Sequence, residues 1–239
     1  SFKELLLISI SVFKVKIKKL IKQIIYGFLI NKKNINIQLK QKNQNLTGIY
    51  VAKNMVGTQN FKSKFKVLDY AIQNINIKGG NILEFGVYKG GTINYIAHKI
   101  PNFIIYGFDS FQGLPEDWRK GFKKGKFNCF KKVAKVRKNI KLYSGWFEDT
   151  IPIFLRENKS KISFLHIDCD LYSSTSIIFK LLSEFIVSGT IIVFDEYFNY
   201  DGFENGEFLA FKEYIKRNDL DYTYIAYNSI HEQVAIKIK

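Results

Sequence analysis

Hydrophobic positions recur with two different periods along this chain, and the change of period divides it. Within residues 2–30, Leu20, Ile21, Ile24, Ile25 and Phe28 fall on one helical stripe with Lys18, Lys19 and Lys22 beside it. That is the pattern of a basic amphipathic helix. The longest uncharged run there, residues 5–13, falls far short of the roughly 20 residues a membrane-spanning helix needs. Basic residues interrupt the apolar stretch and no small-residue cleavage site follows, so a secretory signal is not expected. Ser1 stands where an initiator Met would, so an upstream piece is expected. Residues 31–46 are polar and low in complexity, which predicts a linker or a loosely packed strand.

From about residue 60 the pattern becomes an alternation of short apolar runs and helical periodicity. Phe61, Phe65, Leu68, Ile72 and Ile75 recur at three- and four-residue steps, which predicts a helix over 61–77 ended by Gly79-Gly80. Strands are predicted at 81–86, 103–109, 140–144, 162–168, 190–195, 222–227 and 233–238. Helices are predicted at 90–99, 148–157, 174–186 and 207–217. Strands alternating with helices imply an α/β layer fold with a mostly parallel sheet. Ligands on such sheets sit outside the carboxyl ends of the strands, near the point where the strand order reverses. The residues at those ends are Glu84, Asp109, Asp168 and Asp195.

Composition changes this picture in one respect. The chain carries 37 Lys and Arg against 21 Asp and Glu, a formal net charge of +16. Residues 1–80 hold 15 Lys and only Glu4 and Asp69, whereas 81–239 hold 22 basic and 19 acidic residues. The excess therefore belongs to the N-terminal third. Its helix fits an anionic membrane surface or, with its lysines in water, a face of the catalytic domain or of a second subunit. A load of Lys, Asn and Ile also follows from an AT-rich genome. Cys129 and Cys169 are the only cysteines and have no CxxC spacing, which excludes a disulfide framework or a structural zinc site and points to a reducing compartment.

A carboxylate at the end of a buried apolar strand is costly unless it meets a ligand, a metal or a donor. One such acid is weak evidence, because acids also cap helices. Four in register across one sheet point to a site. Glu84 to Thr92 (EFGVYKGGT) is a glycine-rich turn between a strand and a helix N-terminus, where backbone N–H groups meet anionic groups. The dinucleotide fingerprint fails there, because Tyr88 takes the middle glycine position, so a nicotinamide cofactor is not expected. Asp109 at the next strand end can accept ribose hydroxyls. An acid there without phosphate-binding glycines suggests a nucleoside ligand lacking phosphate, of which S-adenosylmethionine is the common one. Asp168, Asp195 and Glu196 repel one another unless a cation such as Mg²⁺ neutralises them, and the alternative is that they cap loops. His166 lies inside its strand, where a satisfied core histidine is the expected role. Asp201, Glu204 and Glu207 follow an aromatic loop, Tyr197 to Tyr200, that looks suited to gripping a polar substrate.

Five segments in order, ILEFGVYKGGT (82–92), YGFDSFQGLPEDW (106–118), YSGWFEDTIP (143–152), LHIDCDLYSST (165–175) and IIVFDEYFNYDGFENGEFLAFKEY (191–214), resemble the macrocin O-methyltransferase (TylF-type) family. The resemblance covers about 47–239 and leaves 1–46 as an N-terminal helical extension and linker. It implies a Rossmann-like class I methyltransferase fold with a seven-stranded, mostly parallel sheet whose last strand is antiparallel. It implies that Glu84, Gly86, Val87 and Thr92 hold the methionine end of S-adenosylmethionine, and that Asp109 and Ser110 hold its ribose. Trp146, Phe147 and Glu148 fall at the adenine position. Asp168, Asp195 and Glu196 fall on the ligands of Mg²⁺ or Mn²⁺, with Asp168 also the expected proton acceptor. Glu196 stands where characterised members have Asp, which lengthens the reach of the third ligand.

The expected activity is methyl transfer to a sugar hydroxyl of a glycan or glycosylated natural product, in the cytoplasm or at the inner face of the membrane. A homo-oligomer and peripheral membrane contact through residues 1–30 are also expected, and no nucleic-acid partner. The rival readings are a nucleic-acid methyltransferase or binder, suggested by the charge, and a membrane-tethered module without catalysis.

Overall fold

The computed structural model describes Phe13, residues 16–27 and residues 34–239. The chain separates into two units, Ser1–Leu46 and Thr47–Lys239. In the first, residues 16–27 form a helix, α1, on which Leu20, Ile21, Ile24 and Ile25 are exposed. Phe28 of the predicted stripe lies outside the described residues. The polar stretch expected as a linker or strand is instead helical from residue 35 and begins α2 (Ile35–Asn54). Its Gln, Lys and Leu are good helix formers, and no Gly or Pro interrupts them before Gly48. Polarity alone had marked it as a linker.

The larger unit contains β1 (Gln59–Phe61), α3 (Lys64–Gln73), β2 (Asn81–Phe85), α4 (Gly91–Lys99), β3 (Ile105–Asp109), β4 (Ile140–Ser144), α5 (Phe147–Glu157), β5 (Ile162–Ile167), α6 (Tyr172–Leu182), β6 (Ile191–Phe194), α7 (Glu207–Arg217), β7 (Tyr222–Asn228) and β8 (Val234–Ile238). The strands form one sheet in the order β1-β7-β8-β6-β5-β2-β3-β4. Only β8 runs antiparallel to its neighbours, β6 and β7. All seven predicted strands form, and the last is antiparallel as expected. The eighth, β1, is an addition at the edge beside β7. It takes Phe61 out of the predicted helix 61–77, which shrinks to α3, because Ser63 is extended and caps it. A residue spacing of three or four does not distinguish helix from the strand and turn that flank one.

Alternation along the strands builds two cores. Leu83, Phe85, Phe108, Leu165, Ile167 and Phe194 share one with Phe154 of α5, Ile178 of α6 and Phe211 of α7. Ile82, Ile105, Phe164, Ile191 and Val193 share the other with Leu68 of α3 and Ile93 and Ile96 of α4. The central strands β2, β3, β5 and β6 are therefore buried on both faces, which is why they read as continuous apolar runs.

The strand order reverses between β2 and β5. There the ends are locked together. Gly86 N–H donates to Phe108 O (3.0 Å), Asp168 N–H to Phe85 O (2.8 Å) and Asp195 N–H to Ile167 O (2.9 Å). Gly86 sits at φ 93°, and an added Cβ would overlap the Asp168 carbonyl oxygen. Between β3 and β4 the chain makes no helix. Residues 110–139 cross as an irregular loop tied by Leu114 N–H to Lys126 O (2.9 Å), Gly125 N–H to Leu114 O (2.8 Å) and Arg137 N–H to Asn94 Oδ1 (2.8 Å).

Gly86→Ala should lower unfolding stability by about 3 kcal/mol or more, since both the backbone angle and the neighbouring strand oppose a side chain. Urea unfolding within about 1 kcal/mol of the wild type would show that β2 and β5 can part at this point.

Candidate functional site

A cavity of about 680 Å³ opens at the carboxyl edge of the sheet, at the strand-order reversal. Eleven of the twelve predicted site residues line it: Gly86, Val87 and Thr92; Asp109 and Ser110; Trp146, Phe147 and Glu148; and Asp168, Asp195 and Glu196. Glu84 is the exception. It is fully buried, and its carboxylate turns into the sheet to meet His166. It lies inside β2, with Phe85 between it and Gly86, the first residue of this turn to line the cavity.

One wall is the glycine turn. Gly90 is left-handed (φ 83°) and opens α4, whose first residues Gly91 and Thr92 line the cavity. The unpaired N–H groups of that helix end are a fitting seat for a carboxylate. Asp109 pins this wall. Its Oδ2 accepts from Val87 N–H (2.9 Å) and Tyr88 N–H (2.7 Å), and its Oδ1 accepts from Phe111 N–H (2.6 Å). An ionised carboxylate has about four acceptor positions, so three are committed to backbone and about one is left for a ribose hydroxyl. Tyr88 and Phe111 both hold positive φ (50° and 54°), strain that these bonds offset.

The opposite wall is acidic. Protonated His166, fully buried on β5, donates from Nδ1 to Glu84 Oε2 (3.0 Å), and its Nε2 lies 3.7 Å from Asp195 Oδ1. Burial opposes its charge, but Asp195 and Glu84 on either side, with Asp168 nearby, raise its pKa to about 10. Burial likewise opposes ionisation of Asp195, yet His166, Lys64 and Gln233 hold it well below the usual carboxylate range. Asp168 is pushed up by burial and by Asp195. Glu196 is pushed up by burial and by Asp195 and Asp168. Burial also raises Asp170, to about 7, against the pull of Arg119.

The ligand atoms of His166, Asp168 and Asp195 lie within 4.8 Å of one another. Glu196 stands outside that set, but its Oε2 is buried without a hydrogen-bond partner. Crowded carboxylates, two of them raised by burial and by their neighbours and one orphaned, fit a divalent cation.

Sequence reasoning missed three residues that build this wall. Lys64, at the start of α3, places Nζ 3.3 Å from Asp195 Oδ1. Gln233, before β8, donates from Nε2 to Asp195 O (3.1 Å) and Oδ2 (3.2 Å), and its Nε2 also lies 3.2 Å from His231 Nδ1. Fully buried Glu207 accepts from Cys169 N–H (3.3 Å) and Asp170 N–H (3.1 Å) on Oε1, and from Glu196 N–H (3.3 Å) on Oε2. It thereby joins the two acid-bearing loops. Glu207 was visible in the sequence only as one of the acids beside the aromatic loop, where a substrate contact was expected. The aromatic loop expected to grip substrate is largely core: Tyr197, Phe198 and Tyr200 are buried. Their neighbours are rings such as Phe208, Phe194 and Trp118.

Comparison with known proteins finds O-methyltransferases. The demethyldecarbamoylnovobiocin O-methyltransferase of Streptomyces niveus is 29% identical over 168 residues, covering 60% of this chain and 62% of that protein. The 8-demethyl-8-(2,3-dimethoxy-alpha-L-rhamnosyl)-tetracenomycin-C 4'-O-methyltransferase of Streptomyces olivaceus is 25% identical over 172 residues, covering 62% and 63%. The chain thus spans about six-tenths of the length of the curated relatives it matches. Among solved structures, the calicheamicin methyltransferase CalS11 superposes with a TM-score of 0.56 at 19% identity, over 85% of this chain and 93% of that one. The O-methyltransferase NovP gives 0.54 at 21%, over 72% and 76%. The fold is therefore the Rossmann-like one of class I methyltransferases, with one strand added. The sequence model of the macrocin O-methyltransferase (TylF) family matches residues 14–223, and the chain belongs to that family.

Proposed function

We propose that this chain is an S-adenosylmethionine-dependent, divalent-cation-assisted O-methyltransferase acting on a sugar hydroxyl of a glycan or glycosylated natural product. The observation that carries this reading is the cavity itself, with a glycine turn and helix N-terminus on one wall and a buried carboxylate cluster on the other. The relatives support the acceptor class, since one is named for a rhamnosyl substrate and CalS11 is described as a TDP-rhamnose 3'-O-methyltransferase.

S-adenosylmethionine would supply an electrophilic methyl group. Gly86, Val87, Thr92 and the α4 N-terminus would receive its methionine end, Asp109 and Ser110 its ribose, and Trp146, Phe147 and Glu148 its adenine. Mg²⁺ or Mn²⁺, held by Asp168, Asp195 and Glu196, would supply Lewis acidity at the acceptor hydroxyl. The protein's own part is to fix the hydroxyl beside the methyl and to take its proton, and positioning of this kind is a large contribution to rate. Asp168 is the first choice as proton acceptor. Asp170 is the second: its carboxylate lines the same cavity, its φ is 67°, and Glu207 holds its backbone N–H. The same reading includes a homo-oligomer in the cytoplasm, with α1 against an anionic membrane surface. No described helix is long and apolar enough to cross a membrane.

Asp109→Ala should weaken S-adenosylmethionine binding at least about tenfold in calorimetry. Because Asp109 also anchors the turn, part of that loss should appear as lowered thermal stability of the free protein. Unchanged affinity would remove the cofactor assignment.

Asp168→Asn should leave cofactor affinity nearly intact while turnover falls by about two orders of magnitude. A far larger loss in Asp170→Asn would move the proton acceptor to Asp170. EDTA should inhibit, Mg²⁺ or Mn²⁺ should restore, and Glu196→Asp should stay partly active. Full turnover in EDTA on a verified acceptor would dismiss the metal.

The membrane contact predicts pelleting with anionic vesicles at low salt and release at high salt. A variant lacking residues 1–30 should stay folded and lose the pelleting. Pelleting unchanged by the truncation would end the idea.

A further inference from the structure

The crossover loop between β3 and β4 carries a charge pattern that the overall composition conceals. Residues 119–138 contain ten Lys and Arg and no Asp or Glu. The rest of 81–239 contains twelve basic and nineteen acidic residues, so this part of the chain is net acidic outside the block. A lysine-rich genome would load both parts alike. Among the described residues, only Arg119, with Glu232 (3.0 Å), and Lys123, with Asp117 (2.6 Å), meet a carboxylate within this block. The remaining charges repel one another in an ordered loop, and such a block ordinarily marks a surface that meets anions.

The loop sits at the cavity mouth. Gly113, Leu114 and Phe127 line the cavity, and Leu114 pairs with Lys126 and Gly125 through its backbone. Lys124 and Lys126 therefore belong to the strip that forms the rim. Lys89 lines the cavity from the glycine turn. The neighbouring rings of Tyr88 and Phe127 meet at 5.5 Å, so the two strips close on each other. Behind the rim the cavity wall carries Asp168, Asp170, Asp195 and Glu196.

We infer that the acceptor is a phosphate-bearing sugar, in which a diphosphate rests on the basic rim that carries Lys124 and Lys126 while the sugar enters toward the acids. This rests on the methyltransferase reading above and names its acceptor class. The field is polarised: a phosphate is repelled by the carboxylates inside and attracted by the lysines outside, so only one end of the molecule can enter. Lysines are compact point charges suited to phosphate without a fixed fork geometry.

The test uses the full chain saturated with S-adenosylhomocysteine, with inorganic pyrophosphate and UDP-glucose as probes in calorimetry. Both should bind at about 20 mM salt and weaken at least about tenfold at about 300 mM. The variant Lys124→Gln/Lys126→Gln should weaken them at least about tenfold with S-adenosylhomocysteine affinity unchanged. Gln at Lys16, Lys18, Lys19 and Lys22 should change nothing. UDP-glucose binding above pyrophosphate assigns a nucleotide-linked sugar; equal affinities assign a lipid-linked one, which shares only the diphosphate. No binding of either probe, binding indifferent to the loop variant, or single-stranded RNA about a hundredfold tighter than UDP-glucose overturns the inference. Failure of the wild type to bind S-adenosylhomocysteine would instead remove the methyltransferase reading on which it rests.

Discussion

A fully buried histidine between two carboxylates underlies the acidic wall of the cavity. Isolated charges at this depth would cost several kcal/mol each. His166 faces both carboxyl groups at once, Glu84 inside the sheet and Asp195 at its edge. Lys64 and Gln233 complete the set around Asp195. The result is one carboxylate held ionised, Asp195, beside two pushed toward their neutral forms, Asp168 and Glu196. Neighbouring acids with opposed protonation tendencies are the usual arrangement where a hydroxyl must be bound and deprotonated.

That wall holds its shape because its loops are joined from behind. The loops after β5 and β6 arrive from strands paired in register, and Glu207 then bonds backbone N–H groups on both. The opposite wall is fixed by the same device: Asp109 bonds the turn after β2 and its own loop. In each case a carboxylate satisfies loop N–H groups that a regular strand or helix would have paired. Two acids expected to meet ribose or substrate therefore act first as braces.

The central strands were legible because burial on both faces leaves uninterrupted apolar runs, and those of β3, β5 and β6 end at an acid. The site was legible for the same reason, since Asp109, Asp168 and Asp195 mark the ends of those runs. What stayed hidden depends on partners far away in sequence. β1 is three residues whose strand character comes from β7. Lys64 meets Asp195 across 131 residues, and no local pattern announces it. Glu84 stays out of the cavity because it lies inside β2, where its carboxylate meets the buried His166. The polar start of α2 was misjudged because composition was weighed ahead of helix propensity.

The basic block shows a different kind of concealment. It was present in the sequence, but averaging over 81–239 balanced it against the acids that line the cavity and the rest of the domain. Only the fold separates the two signs in space. In a doubly wound sheet the crossover after β3 would ordinarily be a helix packed on the sheet. Here the chain keeps 110–139 irregular and bends it over the mouth, where Leu114 and Phe127 reach the cavity. A helix docked there would turn its apolar stripe to the sheet and spread its charges over the domain surface. The loop instead concentrates them at one opening, so the absence of regular structure places an unbalanced positive field directly in front of an acidic interior.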